Sequence, residues 1–214
     1  NKPIKVKKSK FFYLDDKKET ILISPIYNLN YLINEKSNNK SLKIKGNIFD
    51  VEYESEWKRY YDYPKETHHE IIFQKPNLVI KNLFLNESDK SFSGKSLITF
   101  LKENISIEYK VEDNKIYINS NVEPKNQKIK ILSTIELKPF YTDTSITFIN
   151  KDFNFLIDFF LNYLLNAKNE ILGNFNGKIT LNLNDLNNEI INNGKVNIII
   201  SEKNINLENA NFII

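Results

Sequence analysis

Cysteine and methionine are absent from this chain, glycine and proline are scarce, and arginine occurs once, at Arg59. Without cysteine the chain has no disulfide, no thiolate nucleophile and no thiolate metal ligand. Five glycines leave little room for a glycine-rich phosphate loop, and no Ser nucleophile elbow occurs either. We therefore expect no catalytic residue, no metal site and no cofactor, so the chain is predicted not to be an enzyme.

Charges of the two signs nearly balance, with 30 basic and 27 acidic residues. The lysines are interleaved with Asp and Glu, which does not predict nucleic-acid binding. One lysine-rich patch stands out near the N-terminus, formed by Lys2, Lys5, Lys7, Lys8 and Lys10. It is typical of a protected edge strand. Contact with an anionic membrane or a nucleic acid is the alternative.

Long hydrophobic runs are also missing, since no stretch of 18 apolar residues occurs. No basic-then-apolar leader resembles a signal peptide. The first residue is Asn1 rather than Met. We expect any membrane anchor or export signal to lie outside this sequence.

Alternation of apolar and polar residues dominates what is present. Ile105, Ile107, Tyr109 and Val111 alternate with polar residues, and the pattern resumes at Ile116 after a polar turn, which predicts a β-hairpin. A similar unit follows at 196–207, which suggests a degenerate repeat. Further strands are predicted at 42–44, 48–53, 70–73, 78–85, 97–101, 129–137, 146–149 and 179–183. Glycines introduce several strands, where we expect positive φ or a bulge.

The predicted fold class is mainly β, a long curled antiparallel sheet that is either an open groove or β-sandwich-like. It forms one elongated domain over 1–214, with a weak boundary near 36–41. One segment breaks the rhythm: in 151–167, Asp158, Asn162 and Asn166 recur every four residues on a helix that is otherwise apolar. This apolar α-helix either docks on the sheet or touches a membrane or closes a pocket. Its apolar residues are Phe153, Leu156, Phe159, Phe160, Tyr163 and Leu164.

Few residues suggest a polar site. His68 and His69 are the only histidines, and on a strand they point to opposite faces, so they cannot easily chelate one metal. We expect both at the surface beside an acidic residue. Alternating glutamates at 52, 54 and 56 predict a solvated face. An aromatic cluster either packs on the core, lies at an interface or stacks on a sugar. Its members are Trp57, Tyr60, Tyr61 and Tyr63.

Several stretches resemble the AsmA-like family of Gram-negative bacteria, over about residues 40–214. The resemblance rests on Lys45-Gly46-Asn47-Ile48, on FQKPNLVIKNLFLN at 73–86 and on FSGKSLITFLKENISIEYKVEDNKIYI at 92–118. In that family, strands introduced by a Gly-Lys step alternate with segments similar to FQKPNLVIKNLFLN. The end of the chain resembles the C-terminal region of that family, in which a helix precedes a glycine-led hairpin. This likeness rests on GNFNGKITLNLNDL at 173–186, followed by GKVNIIISEKNINLENANFII.

This resemblance implies a lipid-binding segment with a hydrophobic groove, taking part in phospholipid transport between the inner and outer membranes. The parent protein would be periplasmic and anchored in the inner membrane, through a segment not present in this chain. The expected ligand is a phospholipid or another acyl-chain molecule. No nucleic-acid partner is expected.

Shared parity on consecutive strands predicts which residues line the groove, and the helix of 151–167 would close it. The predicted lining residues are Ile105, Ile107, Tyr109, Ile116, Ile118, Ile129, Ile131, Ile135, Ile179, Leu181, Leu183, Val196, Ile198 and Ile200. The alternative function is a structural or adhesive β-module that binds protein or glycan without catalysis.

Overall fold

The computed structural model describes residues 3–14, 17–34, 36–48, 51–63, 66–75, 77–86, 91–100, 102–120, 127–152, 175–187, 191–202 and 204–213. Their regular structure is β-strand, with no helix among them. The strands are β1 (Ile4–Leu14), β2 (Thr20–Asn34), β3 (Asn39–Ile48), β4 (Val51–Arg59), β5 (Glu66–Phe73), β6 (Leu78–Asn86), β7 (Ser91–Phe100), β8 (Glu103–Glu112), β9 (Lys115–Asn119), β10 (Ile129–Leu137), β11 (Phe140–Ile149), β12 (Asn176–Asn184), β13 (Asn193–Ser201) and β14 (Asn204–Ile213).

These strands belong to one 14-stranded sheet, in which spatial order follows chain order from β1 to β14. Every described register is antiparallel except that of β11 with β12, which is parallel. The prediction of a mainly β, largely antiparallel fold is therefore confirmed. The curled groove stays a prediction.

The predicted helix of 151–167 cannot be placed, because 153–174 lie outside the described residues. With them lie all its apolar residues, Phe153, Leu156, Phe159, Phe160, Tyr163 and Leu164. The described residues just before this segment are not helical, and Asp152 forms an isolated parallel bridge with Asn187. Within the part of the chain that is described, no helix is long and apolar enough to cross a membrane.

The chain divides into two compact units. Unit 1 contains Asn1–Phe12 and Ile23–Asp113, and unit 2 contains Tyr13–Leu22 and Asn114–Ile214. The chain passes from β8 in unit 1 to β9 in unit 2 through the turn at Asp113 and Asn114. The weak boundary predicted near 36–41 falls at the turn between β2 and β3, inside unit 1.

In unit 1 the registers separate apolar residues from charged ones, because directly opposed residues share a face. We call the first set the apolar face of unit 1. Its rows include Tyr31, Leu42, Trp57, His69, Asn82, Ser96 and Ile107, and next to them Leu29, Ile44, Ser55, Ile71, Ile80, Ile98 and Ile105. The other side, the charged face of unit 1, pairs Lys43 with Glu56 and Lys45 with Glu54.

Unit 2 has the same division. Its apolar face carries Ile131, Ile146, Leu181, Val196 and Ala210 in one row from β10 to β14. The centre of this face is well buried, with Ile129 at 2%, Phe148 at 2% and Ile198 at 1% exposure. The opposite side is polar, rich in Thr, Asn and Lys. Tyr13 and Ile21 also belong to this unit. The ring centroids of Tyr13 and Phe140 lie 6.2 Å apart, and Ile21 is 1% exposed.

Glycines on the apolar faces make room for rings. Gly46 lies opposite Tyr53 and Gly94 opposite Tyr109. A Cβ at Gly94 would collide with the Tyr109 ring and a backbone oxygen, and a Cβ at Gly46 would collide with a backbone oxygen and lie tightly against the Tyr53 ring. Gly194 has the same relation to Phe212. No described glycine has positive φ. Of the two alternatives predicted for glycines at strand starts, positive φ was therefore wrong, whereas a register shift between Ile26 and Asn28 does lie opposite Gly46. These glycines serve close packing between strands.

Two strand predictions also differ from the structure. The run 48–53 was predicted as one strand, but Ile48 ends β3 and Val51 begins β4, and these two residues face each other. Strand β2 was not predicted at all. It contains Pro25, and its register with β3 shifts between Ile26 and Asn28, so its apolar residues do not keep one parity.

Candidate functional site

The predicted groove-lining residues fall on the apolar faces of the two units. Ile105, Ile107 and Tyr109 lie on that of unit 1, and the others on that of unit 2. Their exposure differs. Ile105, Ile107, Ile129, Leu181, Leu183, Val196, Ile198 and Ile200 are buried, whereas Tyr109, Ile116, Ile118, Ile131, Ile135 and Ile179 are only half-buried. In this conformation only the half-buried side chains have surface left for a ligand.

A second group of half-buried apolar side chains lies on β2 to β6 of unit 1. Tyr31, Leu42 and Trp57 are directly opposed in one row, and Ile44 lies in the next row. Ile71 and Ile80 continue that next row. Of this group only Trp57 had been singled out from the sequence, because β2 was not predicted and 42–44 was read only as a strand.

A row of polar side chains crosses the middle of the apolar face of unit 1. Ser55 Oγ lies 2.9 Å from His69 Nε2, and Asn82 Nδ2 lies 3.1 Å from His69 Nδ1. The Ser96 hydroxyl donates to Asn82 Oδ1. Ser55, His69 and Ser96 are buried, each with only 5–6% of its surface exposed. Each is paired, so the row does not leave a costly unpaired group in the apolar face.

The direction of donation in this row decides its chemistry. Asn82 Oδ1 accepts from Ser96, so its amide nitrogen donates to His69 Nδ1. The imidazole then carries its proton on Nε2 and donates it to Ser55 Oγ. A histidine in this tautomer cannot remove the Ser55 proton, so the arrangement does not activate a nucleophile.

Two aromatic rings lie close to His69. Its ring stacks on that of Trp57 at 3.6 Å and lies 5.9 Å from that of Phe84. Burial lowers the pKa of His69 from its ordinary value of 6.5 to about 4, so the ring is neutral at physiological pH. The expectation of a surface histidine was wrong for His69. It was right that the two histidines point to opposite faces, because His68 lies opposite Leu83 on the other side and is exposed, 3.9 Å from Glu66.

Ion pairs run across the charged face of unit 1. Lys45 contacts Glu54 at 2.5 Å, and Lys95 contacts Glu108 at 2.8 Å. Glu56 accepts from both Lys43 and Lys58 at 3.1 Å. Burial raises the pKa of Glu56, but the two lysine hydrogen bonds and their charges outweigh it, so the net shift is downward. The glutamates at 54 and 56 therefore belong to a charge-paired, solvated face, as predicted.

The predicted aromatic cluster divides in two. Trp57 packs into the apolar face, whereas Tyr60, Tyr61 and Tyr63 follow it in the turn before β5 with 38%, 64% and 60% exposure. Asn39 ties this turn to β3, since its side-chain oxygen accepts from the Tyr61 backbone amide at 2.9 Å. Three exposed tyrosines are thus held at one end of the sheet in unit 1.

Across the described ranges, no group of three or more His, Asp or Glu side chains could hold a metal ion. Comparison of the chain with protein-family models, with curated proteins and with solved structures found no match.

Proposed function

We propose that this chain is a lipid-binding segment that holds an acyl chain against the apolar face of unit 1. The observation that supports the proposal is the half-buried apolar group of β2 to β6. Tyr31, Leu42, Ile44, Trp57 and Ile71 share one face and keep surface exposed to a ligand. The resemblance to AsmA-like proteins adds the setting: phospholipid transport across the periplasm as part of an inner-membrane-anchored protein.

The chemistry of this face suits a hydrocarbon ligand. Each methylene moved from water to such a surface contributes about 0.8 kcal/mol and needs no directed polar contact. The polar row of Ser55, His69, Asn82 and Ser96 satisfies its own hydrogen bonds. It therefore offers few unpaired groups that an acyl chain would have to desolvate.

Trp57 provides a direct test, because it is the only tryptophan in the chain and lies on the proposed surface. Phospholipids with bromine atoms on the acyl chain quench tryptophan fluorescence on contact. We expect the purified chain to take up such a lipid with quenching of Trp57. We also expect phospholipid in an organic extract of the protein purified from a Gram-negative host.

Two variants sharpen the test. Leu42→Asp places a charge beside Trp57 on the binding surface and should abolish quenching. Lys43→Asp, one residue along on the charged face, should preserve it. Absence of quenching in the unmodified chain, together with a lipid-free extract, would contradict the proposal.

The exposed tyrosines support a second candidate, a β-module that binds glycan or protein through Tyr60, Tyr61 and Tyr63. Exposed aromatic rings beside polar groups are suited to stacking on sugars. A glycan array, read with the unmodified chain and with a Tyr61→Ala, Tyr63→Ala variant, tests it. Binding that requires these rings, in a protein that takes up no lipid, would favour this function.

A further inference from the structure

The first strand of the sheet, β1, carries a concentration of positive charge. Its four lysines are all exposed, and neither β1 nor its neighbour β2 contains an acidic residue. They are Lys5, Lys7, Lys8 and Lys10. None of the four forms an ion pair with a described residue. The charge of β1 is therefore not neutralised within the described part of the chain.

Lysines on later strands of unit 1 behave differently, because each contacts a glutamate at 2.6–3.4 Å. They include Lys58, Lys81, Lys95 and Lys110. These lysines belong to the solvated, charge-paired side of the unit. The lysines of β1 remain available for an anion from outside the chain.

The backbone of Lys8 is unusual for a strand. Its φ is 53°, and it is the only described residue with positive φ that lies inside a strand. Such a residue is typical of a β-bulge, which adds one residue and reverses the alternation that follows. Unbroken alternation would put Lys5 and Lys7 on one face, and Lys8 and Lys10 on the other. A bulge at Lys8 instead brings all four lysines to the same face.

Large apolar side chains are exposed on the same strand. Ile4 is 61%, Phe11 is 59% and Phe12 is 51% exposed. Protection of a sheet edge accounts for the lysines. It does not account for aromatic and aliphatic side chains beside them, which are unfavourable in water. Along its outer edge β1 thus combines positive charge with apolar surface.

This combination fits the surface of an anionic bilayer. Lysines are attracted by the headgroup phosphates, and aromatic or aliphatic side chains enter the boundary between headgroups and acyl chains. A nucleic acid would also attract the lysines and could stack on Phe11 and Phe12. It would leave Ile4 in water, however, and β1 has no arginine, the residue best suited to phosphate recognition. The composition of β1 therefore favours a membrane.

We propose that β1 is a membrane-contact strand, which lies with its outer edge on an anionic bilayer. The four lysines bind the headgroups, and Phe11 and Phe12 enter the interface. This contact goes beyond the proposed function, because a bilayer at β1 and an acyl chain held by β2 to β6 occupy different surfaces.

Co-sedimentation with lipid vesicles tests the membrane-contact strand. Vesicles of phosphatidylcholine are compared with vesicles of phosphatidylcholine and phosphatidylglycerol in equal amounts, and pelleting without vesicles is subtracted. Each lysine near an anionic surface contributes a factor of about five to binding, so we expect at least about 100-fold stronger partitioning into the mixed vesicles. Most of this preference should disappear at about 1 M salt, where the Debye length is about 3 Å.

Matched variants locate the contact. Replacing the four lysines of β1 with Gln should remove the preference for mixed vesicles. The same replacement of Lys58, Lys81, Lys95 and Lys110 changes the net charge equally and should retain it. Leu42→Asp, which disrupts the proposed acyl-chain surface, should retain it as well. Circular dichroism checks that all variants fold.

The outcomes separate this inference from the proposed function. Equal partitioning of the unmodified chain into both kinds of vesicle would overturn the membrane-contact strand and leave acyl-chain binding standing. A preference that survives the loss of the four β1 lysines, or that is lost in Leu42→Asp, would overturn it too. Binding of single-stranded DNA without binding of vesicles would identify β1 as a nucleic-acid contact and overturn the membrane proposal.

Discussion

The neighbours of His69 determine its charge state and its hydrogen bonds. The ring stacks on Trp57, which also stacks on Phe84, and it bonds to Ser55 and Asn82, so it is neutral and fully paired in the folded chain. The same strand parity that separates His69 from His68 also places His69 with Ile71 and Phe73 on the apolar side. That signal was present in the sequence. The partners of His69 were not readable from the sequence, since they come from two other strands, β4 and β6.

A pH dependence of stability follows from this burial. The pKa of His69 is 6.5 in the unfolded chain, and burial lowers it to about 4 in the folded chain. Between pH 4 and pH 6.5 the unfolded state therefore binds more protons than the folded state. Stability is therefore full above pH 6.5 and is lost as the pH falls toward 4. We expect the free energy of unfolding to drop by about 2 kcal/mol between pH 7 and pH 5 in urea titrations.

A His69→Gln variant should lose most of that dependence over the same range, in which carboxylates stay largely ionised. His68→Gln, on the exposed neighbour, should keep it. An unchanged slope in the His69 variant would mean that the ring is hydrated in the folded protein.

Asn82 holds the two halves of the polar row together. Asn82→Ala leaves His69 Nδ1 and the Ser96 hydroxyl without these partners on a buried surface. We expect a loss of about 1–3 kcal/mol in the free energy of unfolding, measured by urea denaturation. Asn209→Ala, on the exposed part of β14, is the control and should change stability by less than about 0.5 kcal/mol. Similar losses in both variants would contradict a structural role for the row.

At the scale of elements, the apolar and polar periodicity predicted most strands well. The hairpin of β8 and β9 and the strand β10 lie where alternation placed them. Prediction failed where alternation is interrupted, as in β2 with its register shift. It also failed where β3 ends and β4 begins within one apolar run, at Ile48 and Val51. The register of β3 with β4, which places Leu42 opposite Trp57, is likewise not fixed by periodicity alone.

The pairing of β7 with β8 depends on Gly94 having no side chain. Gly94→Ala would bring a methyl group against the Tyr109 ring and the Leu83 carbonyl oxygen. We expect a loss of about 1–3 kcal/mol in the free energy of unfolding from chemical denaturation. The neighbouring Lys95→Ala, on the charged face, should lose about 1 kcal/mol or less, since it removes only an exposed ion pair. A smaller loss for Gly94→Ala than for Lys95→Ala would show that the ring moves freely.

At the scale of the whole molecule, the two terminal strands of the sheet differ. β1 carries Lys5, Lys7, Lys8 and Lys10, as the sequence predicted for a protected edge. β14 has no lysine and exposes Leu207 at 65% and Ile213 at 66%. An unguarded apolar edge is a template for pairing with another chain.

We therefore expect the 214-residue chain to self-associate as its concentration rises, measured by sedimentation velocity. Leu207→Lys should reduce the association. Leu132→Lys is the matched control, because Leu132 is also exposed, at 45%, but lies on β10 between two neighbouring strands. Equal effects of both substitutions would point to general hydrophobicity and not to the edge.

Because spatial order equals chain order, the sheet can grow during synthesis by adding each new strand to the one before it. Strands that are consecutive in the chain are joined by short loops, which cost little closure entropy, so we expect them to pair fast. The parallel step from β11 to β12 is different, since β12 can pair with β11 only after the chain beyond Asn150 up to Asn176 has emerged. During translation, β1 to β11 can therefore pair one after another as they emerge from the ribosome. About 25 further residues must then be synthesised before β12, β13 and β14 can complete the sheet.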